Sequence, residues 1–79
     1  MKKQLVLSTS FGTQSVSIAE VGRNGGLHWP ETIAYVNRYS ENDYKMVDHR
    51  DKEEKRFTSQ KEMMQYLQLK YYLEIGVWT

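Results

Sequence analysis

The chain has 79 residues, no cysteine, and eleven Lys and Arg against ten Asp and Glu, for a formal charge of +1. Disulfides and thiolate metal sites are thereby excluded. The basic excess of a typical nucleic-acid binder and the acidic excess of a DNA mimic are both missing. A chain this short builds one thin core, one layer of sheet against one of helix, with no room for a deep substrate cleft as well.

The opening MKKQLVLSTSFG imitates a signal peptide for seven residues, then yields to Ser, Thr and Gln too early for an h-region. No stretch approaches the roughly 18 apolar residues of a membrane span. The expectation is a cytoplasmic single α+β domain over residues 1–79. Leu5, Leu7 and Phe11 alternate with polar residues as a half-buried strand does, and Phe11-Gly12-Thr13-Gln14 supplies a tight connection. Val16 and Ile18 continue a second strand on the same apolar side, ending near Val21. Arg23-Asn24-Gly25-Gly26 is the strongest turn signal, because Asn and Gly tolerate positive φ. A third strand follows Pro30, with Ile33 and Tyr35 on one face and Ala34 and Val36 on the other. Ser40-Glu41-Asn42-Asp43 turns it into a fourth, Tyr44 to His49. From Arg50 to Arg56 the chain reads RDKEEKR, a hairpin tip or solvated loop by the charge-run rule, with a docking patch headed by Arg50 as the sharper reading. Phe57 returns the chain to the core.

A helix then starts with a mechanism. The Ser59 hydroxyl can accept from the Glu62 amide while the Glu62 carboxylate reaches back, a capping box. Met63, Met64, Leu67 and Tyr71 form one apolar stripe. Residues 66–79, YLQLKYYLEIGVWT, carry two periods at once: Leu67, Leu69, Tyr71, Leu73, Ile75 and Val77 alternate, yet Met64, Leu67, Tyr71 and Ile75 are spaced as on a helix. No Gly, Pro, Asn or Asp stands between Lys61 and Ile75 to stop a helix. The favoured reading runs the helix from 59 to 72–75, with Gly76 in the left-handed position and Val77 packed back on Tyr72. A helix ending near Lys70 and followed by a last strand is the alternative. The predicted fold is a four-stranded antiparallel β-meander packed by one C-terminal helix, with a possible fifth strand at the C-terminus.

Chemistry has few footholds. His49 lies near Asp48 and Asp51, but on a strand Asp48 and His49 point to opposite faces, and a metal needs three or four converging ligands. A small metal-dependent hydrolase around these three residues is a third-ranked reading. Ser8, Ser10 and Ser17 sit in no nucleophile motif. Gly25-Gly26 lacks the third glycine, the helix and the Lys-Ser/Thr pair of a phosphate loop. No cofactor, metal site or catalytic residue is expected. Tyr35, Arg38, Tyr39, Tyr44 and Lys45 interleave aromatics with cations, as sheets that stack single-stranded nucleic acid do; this is the second reading. The first is protein binding, because Trp29, Arg38 and Tyr39 are hot-spot residue types. The partner-binding set expected is Trp29, Arg38, Tyr39, Tyr44 and Arg50. An exposed edge at residues 5–9 could add to another sheet, making the chain a monomer or an edge-paired homodimer.

Fragments along the chain also carry a resemblance. The start MK, LST at Leu7-Ser8-Thr9, IA at Ile18-Ala19, the Asn24-Gly25 turn and the Ser59-led helix after a meander resemble the small phage-encoded anti-CRISPR inhibitors of type I-F. Val6 stands where the resemblance leads one to expect a tyrosine, so no binding residue is carried over. The resemblance implies a stoichiometric, cofactor-free inhibitor that docks on a host enzyme or nucleoprotein complex.

Overall fold

The computed structural model describes residues 2–10 and 12–78. In chain order it contains β1 (Lys3–Ser10), β2 (Thr13–Val21), β3 (Leu27–Ser40), β4 (Asp43–Asp48), β5 (Glu53–Phe57), α1 (Gln60–Tyr71) and β6 (Ile75–Trp78). The strands form one sheet in the order β5-β4-β3-β2-β1-β6. The first four make the expected antiparallel meander, β5 extends it by a strand that was not expected, and β6 lies parallel to β1. The α+β class holds, with six strands in place of four and a mixed sheet in place of an antiparallel one. The core position expected for Phe11 lies outside the described residues.

The fifth strand hides in the charge run. Residues 50–52 make the turn, where the Arg50 amide donates to Asp48 Oδ1 (2.9 Å) and the Glu53 amide donates to Asp51 Oδ1 (3.2 Å), short side chains standing in for backbone acceptors. Beyond it Tyr44 pairs with Phe57, Lys45 with Arg56, Met46 with Lys55 and Val47 with Glu54. β5 is an outer strand, wet along one edge. Charges suit such an edge because they discourage pairing with another chain. A rule that reads charge as loop cannot tell the two apart.

Leu5, Leu7, Val16, Ile18, Ala34, Val36, Tyr44, Met46 and Phe57 from one sheet face meet Met63, Met64 and Leu67 of α1 in a single core. Ile33 joins them because the β2–β3 register slips between Val16, opposite Ala34, and Ser17, opposite Thr32. That bulge breaks the simple parity linking Ile33 to Tyr35. Tyr35 turns to the other face and remains half exposed.

Ser59 caps α1 as expected, its hydroxyl accepting from the Glu62 amide (3.1 Å), and the Glu62 carboxylate accepts from the Thr58 hydroxyl (2.7 Å). The helix stops without glycine. Tyr72 itself takes the left-handed conformation (φ 57°, ψ 40°), with its amide donating to the Gln68 carbonyl. Both periods in the last stretch are therefore real in succession: helical to Tyr71, then extended from Ile75. Gly76 is not the helix terminator. It lies within β6, where a Cβ would come within 2.9 Å of Gln4 Cβ. Val77 pairs with Val6 rather than with Tyr72.

The arrival of β6 also removes an expected edge. β1 lies between β2 and β6, whose pairs with Leu5, Val6 and Leu7 make that part of the expected edge interior to the sheet. Its open edges are β5, β6 and the first part of β3. Among the described residues no helix is long and apolar enough to cross a membrane.

Candidate functional site

β3 outruns its neighbour. The last β3–β4 pair is Ala34 with Asp48, whereas residues 27–32 of β3 pair with β2 alone. The β2–β3 hairpin is therefore an arm with an open outer edge, backed by β1 on its inner side up to Glu20 and projecting freely only at its tip. Its tip closes through the Gly22 amide to the Gly26 carbonyl (2.8 Å) and the Gly26 amide to Asn24 Oδ1 (3.0 Å), with Gly25 at φ +81°. Pro30 sits on this unpaired stretch, where its missing N–H removes no ladder bond.

Trp29 stands at the kink of the arm. Ile18 pairs with Glu31 and Glu20 with His28, so Trp29 and Pro30 together oppose Ala19 alone. This bulge is closed by Trp29 at φ 54°, while its side chain is 87% exposed. The left-handed conformation costs a bulky residue about 1–2 kcal/mol, and an exposed indole recovers almost nothing by burial. A strained, solvent-directed tryptophan adds nothing to this fold that glycine would not supply better, which directs attention to contacts outside the chain.

Among the described residues no helix packs on the sheet face away from α1, yet Val6, Ser17 and Ala19 on that face are buried. Val6, Ser8, Ser15, Ser17, Ala19 and Thr32 make one half of it low and small-sided, with Ser17 and Thr32 hydroxyls 3.4 Å apart. Tyr35 and Tyr39 rise from the other half, 51% and 56% exposed. Tyr35 lies 5.8 Å from the His49 ring, and His49 Nε2 donates to the Thr32 carbonyl (2.5 Å), tying the end of β4 to β3. Arg56 lies 5.1 Å from the Tyr39 ring and 3.6 Å from Asp43, while Lys45 pairs with Glu54 at 3.5 Å. The cations of this face are already partnered.

The five residues expected to bind a partner do not form one surface. Arg38 and Tyr44 pair across β3 and β4 on the helix side, guanidinium 5.8 Å from the ring, with Tyr44 buried in the core. Tyr39 faces the opposite way. Trp29 lies ten residues along β3 from Tyr39, about 30 Å at strand rise. Arg50 occupies the β4–β5 turn, 5.5 Å from the Tyr71 ring. The nucleic-acid set is divided likewise: Tyr35, Tyr39 and Lys45 on the face away from α1, Arg38 and Tyr44 on the other.

Asp48 and His49 do point to opposite faces, and the acidic groups converge elsewhere. Lys70 Nζ, near the end of α1, lies 2.6 Å from Asp51, 2.9 Å from Asp48 and 3.1 Å from Glu53. The Tyr71 hydroxyl donates to Asp48, and the Tyr66 hydroxyl donates to Glu53 (2.5 Å). Burial alone would raise the Asp48 carboxyl, but hydrogen bonds from Tyr71, Lys70 and the Arg50 amide hold it below its ordinary value. Tyr66 and then Lys70 lower Glu53. Burial works to lower Lys70, yet its bonds to Asp51, Asp48 and Glu53 raise it. Burial and the Asp48 carboxylate push Tyr71 up to about 12. These bonds fasten the end of the helix to the β4–β5 turn. The cluster's sequence signal was slight: Tyr66 and Lys70 are four apart beside the apolar stripe, but their carboxylates lie thirteen or more residues upstream.

Compared with known proteins, the chain matches no family model, no curated protein and no solved structure.

Proposed function

We propose that this chain is a non-enzymatic protein-binding module that docks through its projecting arm. In this reading it acts as a phage or mobile-element inhibitor, sterically blocking a host defence or nucleic-acid-processing complex. The carrying observation is Trp29: exposed, held at a backbone angle that disfavours it, and mounted on a hairpin that no other strand supports on its outer side. A large rigid aromatic already presented to solvent loses little entropy on docking and brings much area to an interface. The inhibitor role, and with it steric occlusion as the mechanism, rests on the resemblance of the sequence fragments. Tyr35 and Tyr39 point from the opposite sheet face and lie outside this contact surface.

Co-purification from host lysate tests the reading. The native chain is expected to retain a partner at a fixed stoichiometry. Trp29→Ala is expected to lose it while keeping the native circular dichroism spectrum. Equal recovery by native and Trp29→Ala proteins would remove the proposed docking residue.

The placement of Tyr35, Tyr39 and Lys45 on one face favours a second reading, single-stranded nucleic-acid binding by stacking. It predicts anisotropy changes with labelled oligonucleotides that weaken as salt rises. Micromolar protein giving no signal at low salt would retire it.

A further inference from the structure

The geometry points to the hollow beside Trp29 as a receptor for a positively charged side chain, an arginine or lysine of the docked protein. This deepens the proposed docking role and rests on it. A pocket of about 300 Å³ is lined by Lys3, Ile18, Glu20, Trp29 and Glu31. It lies beyond the level at which Lys70 and Tyr71 reach Asp48, since Asp48 is opposite Ala34 and the pocket starts three residues down β3 at Glu31. Its size suits one long side chain and falls at the lower limit for small-molecule sites.

The chemistry of the walls selects the occupant. Ile18 supplies an apolar floor for a methylene stem. Glu20 and Glu31 bring two carboxylates, and among the described residues neither has a hydrogen-bonding or ionic partner. Two unpaired acids beside an aromatic ring are complementary to a guanidinium or ammonium: the ring attracts the cation electrostatically, and the carboxylates accept its N–H groups. Lys3, directly across from Glu20 in the β1–β2 register, makes the pocket's net charge −1 rather than −2. The three charges therefore have opposite predicted effects, and an anion receptor would reverse every sign.

The test is a titration of the full chain, labelled with ¹⁵N, with capped arginine (N-acetyl-arginine N-methylamide) and, separately, its uncharged isostere capped citrulline. Trp29→Phe assigns the indole N–H signals. A lone side chain is expected to bind with a Kd on the order of 1 mM. Capped arginine should shift the Trp29 indole and the Glu20 and Glu31 amides, and citrulline should not. Glu20→Gln and Glu31→Gln should each weaken binding by about threefold, and Lys3→Gln should tighten it by about twofold. Trp29→Ala should weaken it by about fivefold. Equal shifts with citrulline, no shift with arginine, or weakening by Lys3→Gln would overturn the assignment. The two proposals fail separately. If Trp29→Ala loses the lysate partner while both Glu variants keep it and bind arginine unchanged, docking stands and the cation pocket falls.

Discussion

Lys70 holds together more charge than any other side chain in the described structure, and its removal gives a prediction with a worked magnitude. In Lys70→Met the stem still packs, but Asp48, which is fully buried, keeps its negative charge beside Asp51 and Glu53 with no ammonium among them. Removing one partner of a buried pair costs 3–5 kcal/mol. The lower end applies here, about 3 kcal/mol, because the Tyr71 hydroxyl and Arg50 amide still serve Asp48 and because Asp51 is half exposed. A domain of this length has about 4–12 kcal/mol in total, so the loss would be a large share of it. With a urea slope of about 1 kcal/mol per M, the unfolding midpoint should fall by roughly 3 M at pH 7. The pH dependence supplies the sharper assay. In the native chain Asp48 and Glu53 are held low, so their stabilisation is complete above the ordinary carboxylate range and is lost as pH falls through the lower folded values, below about pH 4. Without Lys70, burial dominates at Asp48 and raises its carboxyl. The folded variant then takes up protons first, and its stability should rise between pH 7 and about 5. A variant that loses under about 1 kcal/mol, or loses the same amount at pH 7 and pH 5, would refute the reasoning.

Three further substitutions probe the elements. Ser59→Ala removes the acceptor for the Glu62 amide and should lower stability by about 1 kcal/mol in urea titrations. Gly76→Ala places a methyl within 2.9 Å of Gln4 Cβ; it should cost about 1–3 kcal/mol and speed hydrogen exchange of the Leu5 amide, which donates to the Glu74 carbonyl. Tyr72→Gly relieves a left-handed tyrosine that is 91% exposed, so thermal melting should show a stability unchanged or raised by up to about 1 kcal/mol.

The parts of the fold written in local chemistry were legible in the sequence. The meander order follows from alternation broken by Asn24-Gly25 and by the Ser40 to Asp43 turn, and the helix start follows from Ser59 and Glu62. What escaped depends on neighbours distant in sequence. β5 reads as loop because its charges are explained only by an outer position beside β4. The helix end was misplaced because Tyr72 accepts a backbone angle usually left to glycine, a choice that tertiary pairing of Ile75 with Leu5 makes tolerable. Ile33 and Tyr35 parted company through a single bulge, which alternation cannot anticipate. Of the candidate site, Trp29 was visible as a hot-spot residue type. The separation of Arg38 and Tyr44 from Tyr39 needed the register, and the meeting of Asp48, Asp51 and Glu53 on Lys70 needed the crossing angle of α1.

Because β6 seats beside β1, ribosomal synthesis leaves β1 with a naked flank until residue 78 has emerged. Contacts of such long range form late and slowly. During that interval the vacant ladder could recruit an identical nascent ribbon from a neighbouring polysome. Premature termination after α1 should accordingly yield clumped material in place of a merely shortened monomer.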